Sequence, residues 1–250
     1  TSMRLDTAIA ACLVGLLGHS AASADEIRVA VASNFARAMR EIAGRFEEQT
    51  GHEVILAFAS TGKHYAQVRN GAPFDAFFGA DMERAERLEK EGLALAGSRF
   101  TYALGTLVLW SPEEGMVDTA GRVLELGDFR FLSLANPKHA PYGRAAQEVL
   151  EARGLWQSLR SRIVRGENIG QAFQYVISGN AELGFVARSQ VERPGEVIPG
   201  SWWEIPVDLY SPIAQQAVLL SESAAASELL DFVRGQESLD ILRSYGYRIP

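Results

Sequence analysis

Two pairs of small polar residues stand where chemistry could begin. Ser33-Asn34 follows the alternating apolar run 27–32, and Ser60-Thr61 follows the apolar run 54–58. Each pair ends a strand-like segment and opens a helical pattern, which in the first case is Phe35, Met39, Ile42, Ala43 and Phe46. Ser, Thr and Asn favour helix starts. A strand, polar turn and helix leave backbone N–H groups unpaired beside those side chains, and the helix dipole adds partial positive charge. That combination can hold an anion. One such junction reads as an ordinary cap; its repetition along the chain makes an anion site the stronger reading. Two further loops, 135–143 and 167–170, rich in Gly, Asn or Pro, also feed helix starts.

Other chemistry finds little support. There is no Gly-x-Ser-x-Gly elbow, no Walker pattern and no dinucleotide fingerprint. His52, His64 and His139 lack ligand spacing, so a metal centre is not expected. His52 reads as exposed, and His64 and His139 as surface or structural residues. Trp202 and Trp203 could form a sugar platform, but beside a proline-rich passage they read as packing. A catalytic pair could be assembled only from Glu167 and His139. A binding protein is therefore favoured over an enzyme, with no cofactor.

The elements that must position these residues alternate. Strand–helix units run from 27 to 51, 52 to 71 and 75 to 92, implying right-handed crossovers and a largely parallel sheet. The run 100–110 carries Gly105 in its middle, where a strand could leave one sheet and enter another. Further strands are expected at 129–134, 183–186 and 213–220, with closing helices near 224–234 and 239–245. The fold class is α/β, in two lobes, each a mostly parallel sheet flanked by helices. Residues 25–104 and 213–250 form lobe 1, and 105–212 form lobe 2 inserted into it. The ligand would lie in the cleft between them.

Thr1 and Ser2, ahead of Met3, read as an added remnant. Arg4, an apolar stretch over 8–17 and Ala22-Ser23-Ala24 describe a secretory signal peptide, 1–24. Cys12, the sole cysteine, falls inside it, so the exported chain is held by its core without disulfides. A net charge of −7 argues against nucleic acid. It also means that a bound anion is held by local groups.

The segments Ala-Val-Ala-Ser33-Asn34-Phe35, Ala59-Ser60-Thr61-Gly62, Asn70-Gly-Ala-Pro73, Phe78-Gly-Ala-Asp81, Asn136-Pro-x-x-Ala-Pro-Tyr-Gly143, Glu167-Asn-Ile169 and Leu183-Gly-Phe-Val186 together resemble the periplasmic molybdate-binding proteins of ABC transporters. The resemblance implies a type-2 periplasmic binding fold, a monomer without membrane insertion, and molybdate or tungstate in the interlobe cleft. It further implies delivery to a membrane permease and its ATPase. The family's ligand positions fall on Ser33 or Asn34, Ser60 or Thr61, Tyr142 and Ile169, the last two acting mainly through backbone N–H. One departure is Ala187, where many members place a tyrosine; Asn34 is expected to compensate. Lys63 beside the second junction leaves sulfate, phosphate or a carboxylate as the alternative ligand, unless its ammonium points to solvent.

Overall fold

The computed structural model describes residues 24–250, so the expected signal peptide lies almost wholly outside the described residues. The first lobe begins β1 (Glu26–Ala32), α1 (Ala36–Thr50), β2 (Glu53–Ala59), α2 (Thr61–Arg69), β3 (Ala76–Gly79), α3 (Met82–Lys90) and β4 (Phe100–Gly105). Thr106 alone separates β4 from β5 (Leu107–Ser111), which lies in a second sheet. There follow α4 (Val123–Leu126), β6 (Leu132–Ala135), α5 (Pro141–Ala152), α6 (Trp156–Leu159), β7 (Ile163–Gly166), α7 (Ile169–Ile177), β8 (Leu183–Ala187), α8 (Arg188–Val191) and β9 (Ser201–Glu204). The chain then returns through β10 (Ile213–Leu219) to the first sheet and closes with α9 (Ala224–Arg234) and α10 (Gln236–Ser244).

The two sheets share one plan. The first has the order β2-β1-β3-β10-β4 and the second β7-β6-β8-β5-β9. In each, three parallel strands are followed by one reversed strand and a last strand that restores the direction. Four of the five strands of each sheet therefore point the same way, and β10 and β5 are the exceptions.

Both sheets are covered on two faces, as parallel sheets require. In β1, Ile27, Val29 and Val31 pack with Met39, Ile42 and Phe46 of α1 and Leu229 of α9. The alternate residue Ala30 faces Tyr65, Val68 and Leu88 from α2 and α3. In the second lobe Leu107 and Leu109 meet α5 through Val149 and Leu150, while Val108 and Trp110 meet Phe173 and Val176 of α7. Trp203 belongs to the first of these cores, which settles its role as packing. His52, read as exposed, is instead mostly covered: it stacks on Phe46, and its Nδ1 accepts from the Asp25 N–H at 3.1 Å.

His64 is fully buried, its ring nitrogens 2.9 Å from the Gln67 amide oxygen and 3.1 Å from the Val31 carbonyl oxygen. Burial is the main cause that lowers its pKa from the ordinary 6.5. The unfolded chain thus takes up a proton near pH 6.5 that the folded chain refuses. Stability contributed here is complete above that pH and is lost as pH falls toward the folded-state value. His64→Gln is expected to flatten the fall of urea-unfolding stability between about pH 6.5 and 5.

Candidate functional site

Four strand-to-helix junctions face one another, two from each lobe. They are β1 to α1, β2 to α2, β6 to α5 and β7 to α7, all at the carboxyl ends of parallel strands. Between them lies a small, nearly closed hollow. Ser33, Asn34, Ser60, Thr61, Tyr142 and Ile169 all line it, with Ala and Pro residues completing the wall. No lining side chain carries a charge. Among the described residues no cluster of three His, Cys, Asp or Glu could hold a bare metal ion.

Helices α2, α5 and α7 begin two or three residues earlier than their apolar periodicity suggests. The difference matters, because it places Thr61, Tyr142 and Ile169 within the first turns. First-turn N–H groups have no acceptor inside the helix, and these three have none elsewhere among the described residues. Their neighbours are satisfied. Ser60 Oγ accepts from Lys63 N–H at 3.4 Å, and Asn168 Oδ1 accepts from Gln171 N–H at 2.9 Å. Pro141 opens α5 with no N–H to place. In α2 and α7 the first turn is complete except where an N–H faces the hollow.

The first junction differs from its expected form. Ser33 and Asn34 cap nothing; they form a 3₁₀ turn, Ser33–Phe35, and α1 starts only at Ala36. Their side chains are drawn into tertiary bonds instead. Ser33 Oγ accepts from the Gly170 N–H of the opposite lobe at 3.2 Å. Asn34 Nδ2 donates to Gln215 Oε1 at 2.8 Å and to the Tyr247 hydroxyl at 3.0 Å. The Asn34 amide donors are thus engaged inside the first lobe. Gln215 Oε1 also lies 3.0 Å from the Tyr102 hydroxyl, and Gln215 Nε2 lies 3.2 Å from the Tyr142 hydroxyl. Asn34 Oδ1 is left buried without a partner.

The lobes are closed on each other. Gly62 N–H donates to the His139 carbonyl at 2.9 Å, Ser189 Oγ to the Asn34 carbonyl at 3.0 Å, and Arg144 to Glu83 at 3.2 Å. The Tyr142 ring crosses from the second lobe to the first, where its hydroxyl accepts from Gln215 Nε2 at 3.2 Å. Gly105 makes room for it: a Cβ there would lie 2.2 Å from the Tyr142 hydroxyl. Burial foremost, then neighbouring tyrosines, push the Tyr142 pKa well above 10, so the phenol is neutral. Burial likewise raises Tyr102 and Tyr247. The cluster behind the hollow therefore carries no negative charge.

Lys63 points to solvent, and Glu167 and His139 are both exposed rather than paired in the cleft. Ala187 is buried, with its N–H held by Gln190 Oε1 at 2.9 Å. Side chains far away in sequence, such as Gln215 and Tyr247, escaped the sequence reading; Tyr247 lies in the closing Tyr-Gly-Tyr but no local pattern marks it.

The family model for the bacterial extracellular solute-binding protein matches residues 27–248. The chain belongs to this family. Among its solute-binding relatives, the molybdate-binding protein ModA of Azotobacter vinelandii is 50% identical over 249 residues, covering 98% of both chains. ModA of Rhodobacter capsulatus is 46% identical over 230 residues, covering 90% of this chain and 89% of that protein. The solved periplasmic molybdate-binding protein of Azotobacter vinelandii superposes with a TM-score of 0.87 at 42% identity, covering 90% of this chain and 99% of the other. More distant solute-binding proteins share the fold alone, such as the sulfate-binding protein SubI of Mycobacterium tuberculosis, with a TM-score of 0.70 at 15% identity. The architecture is thus the two-lobe type-2 periplasmic binding fold. Among the described residues no helix is long and apolar enough to cross a membrane.

Proposed function

We propose that this solute-binding protein captures molybdate, and tungstate with it, in the interlobe hollow and delivers it as a monomer in the periplasm to an ABC permease and its ATPase. One observation carries the reading: uncharged donors from three helix starts and a 3₁₀ turn converge on one hollow that offers no charged side chain. An oxyanion without an ionisable proton needs donors only, and helix-start N–H groups supply them with partial positive charge. The N–H groups of Thr61, Tyr142 and Ile169 and the hydroxyls of Ser33, Ser60 and Thr61 form the donor set. Each hydroxyl that already accepts a bond keeps its proton to donate. Close likeness to two molybdate-binding relatives supports the choice of ion. Phosphate that retains a proton would need an acceptor. Sulfate, being smaller, would lose contacts, each costing about 1–3 kcal/mol.

Isothermal titration with molybdate, tungstate and sulfate tests the reading. At about a hundred times the dissociation constant a ligand of the folded state adds roughly 2.7 kcal/mol. For a chain of this size that raises the melting temperature by about 5–10 °C. Equal shifts with sulfate at the same concentration would remove the specificity. Thr61 gives the site arm of the test. Its Oγ1 also accepts from the buried Ala80 N–H at 3.0 Å, so Thr61→Ala costs stability as well as affinity. Thr61→Ser keeps the hydroxyl and is expected to bind as the unaltered protein does.

A further inference from the structure

Beside the hollow, and sharing Ser33 and Asn34 with it, a wider cavity of about 300 Å³ opens along the seam between the lobes. Arg37 and Arg40 line it, three residues apart on one face of α1. Ion pairing takes up most arginines of this acidic chain, but among the described residues neither Arg37 nor Arg40 pairs with a carboxylate. Each rests instead against an aromatic ring. The Arg40 guanidinium lies 4.5 Å from the Phe58 centroid, and that of Arg37 lies 5.9 Å from Phe173 on the opposite lobe. A ring steadies a guanidinium without cancelling its charge. Arg193 also stands near, and after burial it is the strongest influence that lowers the Arg37 pKa, with Arg40 adding to it. Glu196, which pairs with Arg193 at 3.8 Å, and Tyr245 act in the opposite sense, which leaves Arg37 and Arg40 as the cations here without a carboxylate partner, in a chain whose net charge is −7.

We infer that Arg37 and Arg40 form an electropositive vestibule that draws a tetrahedral oxyanion to the seam before it enters the uncharged hollow. The division has a physical reason. The overall charge repels a dianion, and neutral donors act only at hydrogen-bond distance. Two cations without carboxylate partners at the seam reverse the local field and extend its reach to about a Debye length, near 8–10 Å. The hollow then sets the lifetime of the complex, and the vestibule sets the rate of its formation. Arg37 and Arg40 are accordingly steering residues, whose effect belongs to association and not to dissociation.

This inference rests on the anion-binding reading above, and the test separates the two. Stopped-flow association of molybdate, tungstate and sulfate is measured across a range of ionic strength on the unaltered protein, Arg37→Gln/Arg40→Gln and Arg37→Lys/Arg40→Lys. At low salt the Gln pair is expected to associate about tenfold more slowly, with an unchanged dissociation rate and a flattened salt dependence. The Lys pair is expected to keep the fast rate. Single Arg40→Gln, at an exposed position, reports the same direction if the double variant folds poorly. Binding with association rates indifferent to positions 37 and 40 overturns the vestibule and leaves the hollow standing. Failure of the unaltered protein to bind any of the three anions overturns both.

Discussion

Gly105→Ala is expected to lower oxyanion affinity about a hundredfold while leaving the unliganded protein folded. The added methyl would lie 2.2 Å from the Tyr142 hydroxyl and 2.8 Å from Gln215 Nε2. Both atoms belong to the buried cluster behind the hollow, and Tyr142 reaches it from the other lobe. The collision with Tyr142 therefore arises only when the lobes are together, while the Gln215 amide, on the neighbouring strand of the same sheet, must give way in either state. Gly105 has no left-handed backbone angle, so alanine brings no strain of its own. Overpacking of this kind costs about 1–3 kcal/mol, and every 1.4 kcal/mol charged against the closed state is a tenfold loss of affinity. Titration gives the affinity, and thermal unfolding without ligand checks the fold. Tyr142→Phe in the Gly105→Ala background removes the nearest atom and is expected to restore part of the loss. Unchanged affinity in Gly105→Ala would show that Tyr142 need not seat against the first lobe.

The second large effect concerns the fold itself. A Cβ on Gly143 would stand 2.2 Å from the Ala135 carbonyl oxygen and 2.7 Å from its carbon. Both are backbone atoms at the end of β6, so no rotamer change relieves the contact. The first turn of α5 and the strand end would have to part, and the Tyr142 N–H would leave the hollow with them. Gly143→Ala is expected to cost about 3 kcal/mol, or roughly 6–12 °C in melting temperature for a chain of this length. Gly44→Ala is the contrast. Gly44 lies inside α1 with open space where its Cβ would be, and alanine there is expected to stabilise by about 0.5–1 kcal/mol. If both substitutions shift stability in the same direction, close approach at Gly143 is not what the glycine provides.

Much of this was readable in the chain. Periodicity gave the strand–helix alternation, and Gly105 marked the passage between sheets because a glycine inside a long apolar run rarely serves the strand. The turns that hold Thr61, Tyr142 and Ile169 were visible as loops, yet their helices were read as starting too late. The first turns of α5 and α7 are written in loop-type residues, with Pro141 and Gly143 in one and Asn168 and Gly170 at the other, so they read as loop although helix begins inside them. The 3₁₀ turn at Ser33–Phe35 was also hidden. Ser and Asn favour caps locally, and only the distant partners Gly170, Gln215 and Tyr247 explain why they do otherwise. A network that joins positions 34, 102, 142, 215 and 247 leaves no local trace in a single sequence.

The one-residue link at Thr106 has a mechanical meaning. Its carbonyl accepts from Arg188 N–H at 2.9 Å, and on either side of it strands are anchored in different sheets. With so little slack the halves cannot slide apart there; they can only turn, and displacement grows with distance from that pivot. Probes beyond the edge strands remote from β4 and β5, for example one at exposed Lys63 after β2 and one at exposed Glu167 after β7, would register the largest change in separation. A pair of dyes attached there would turn the protein into an optical gauge of anion concentration.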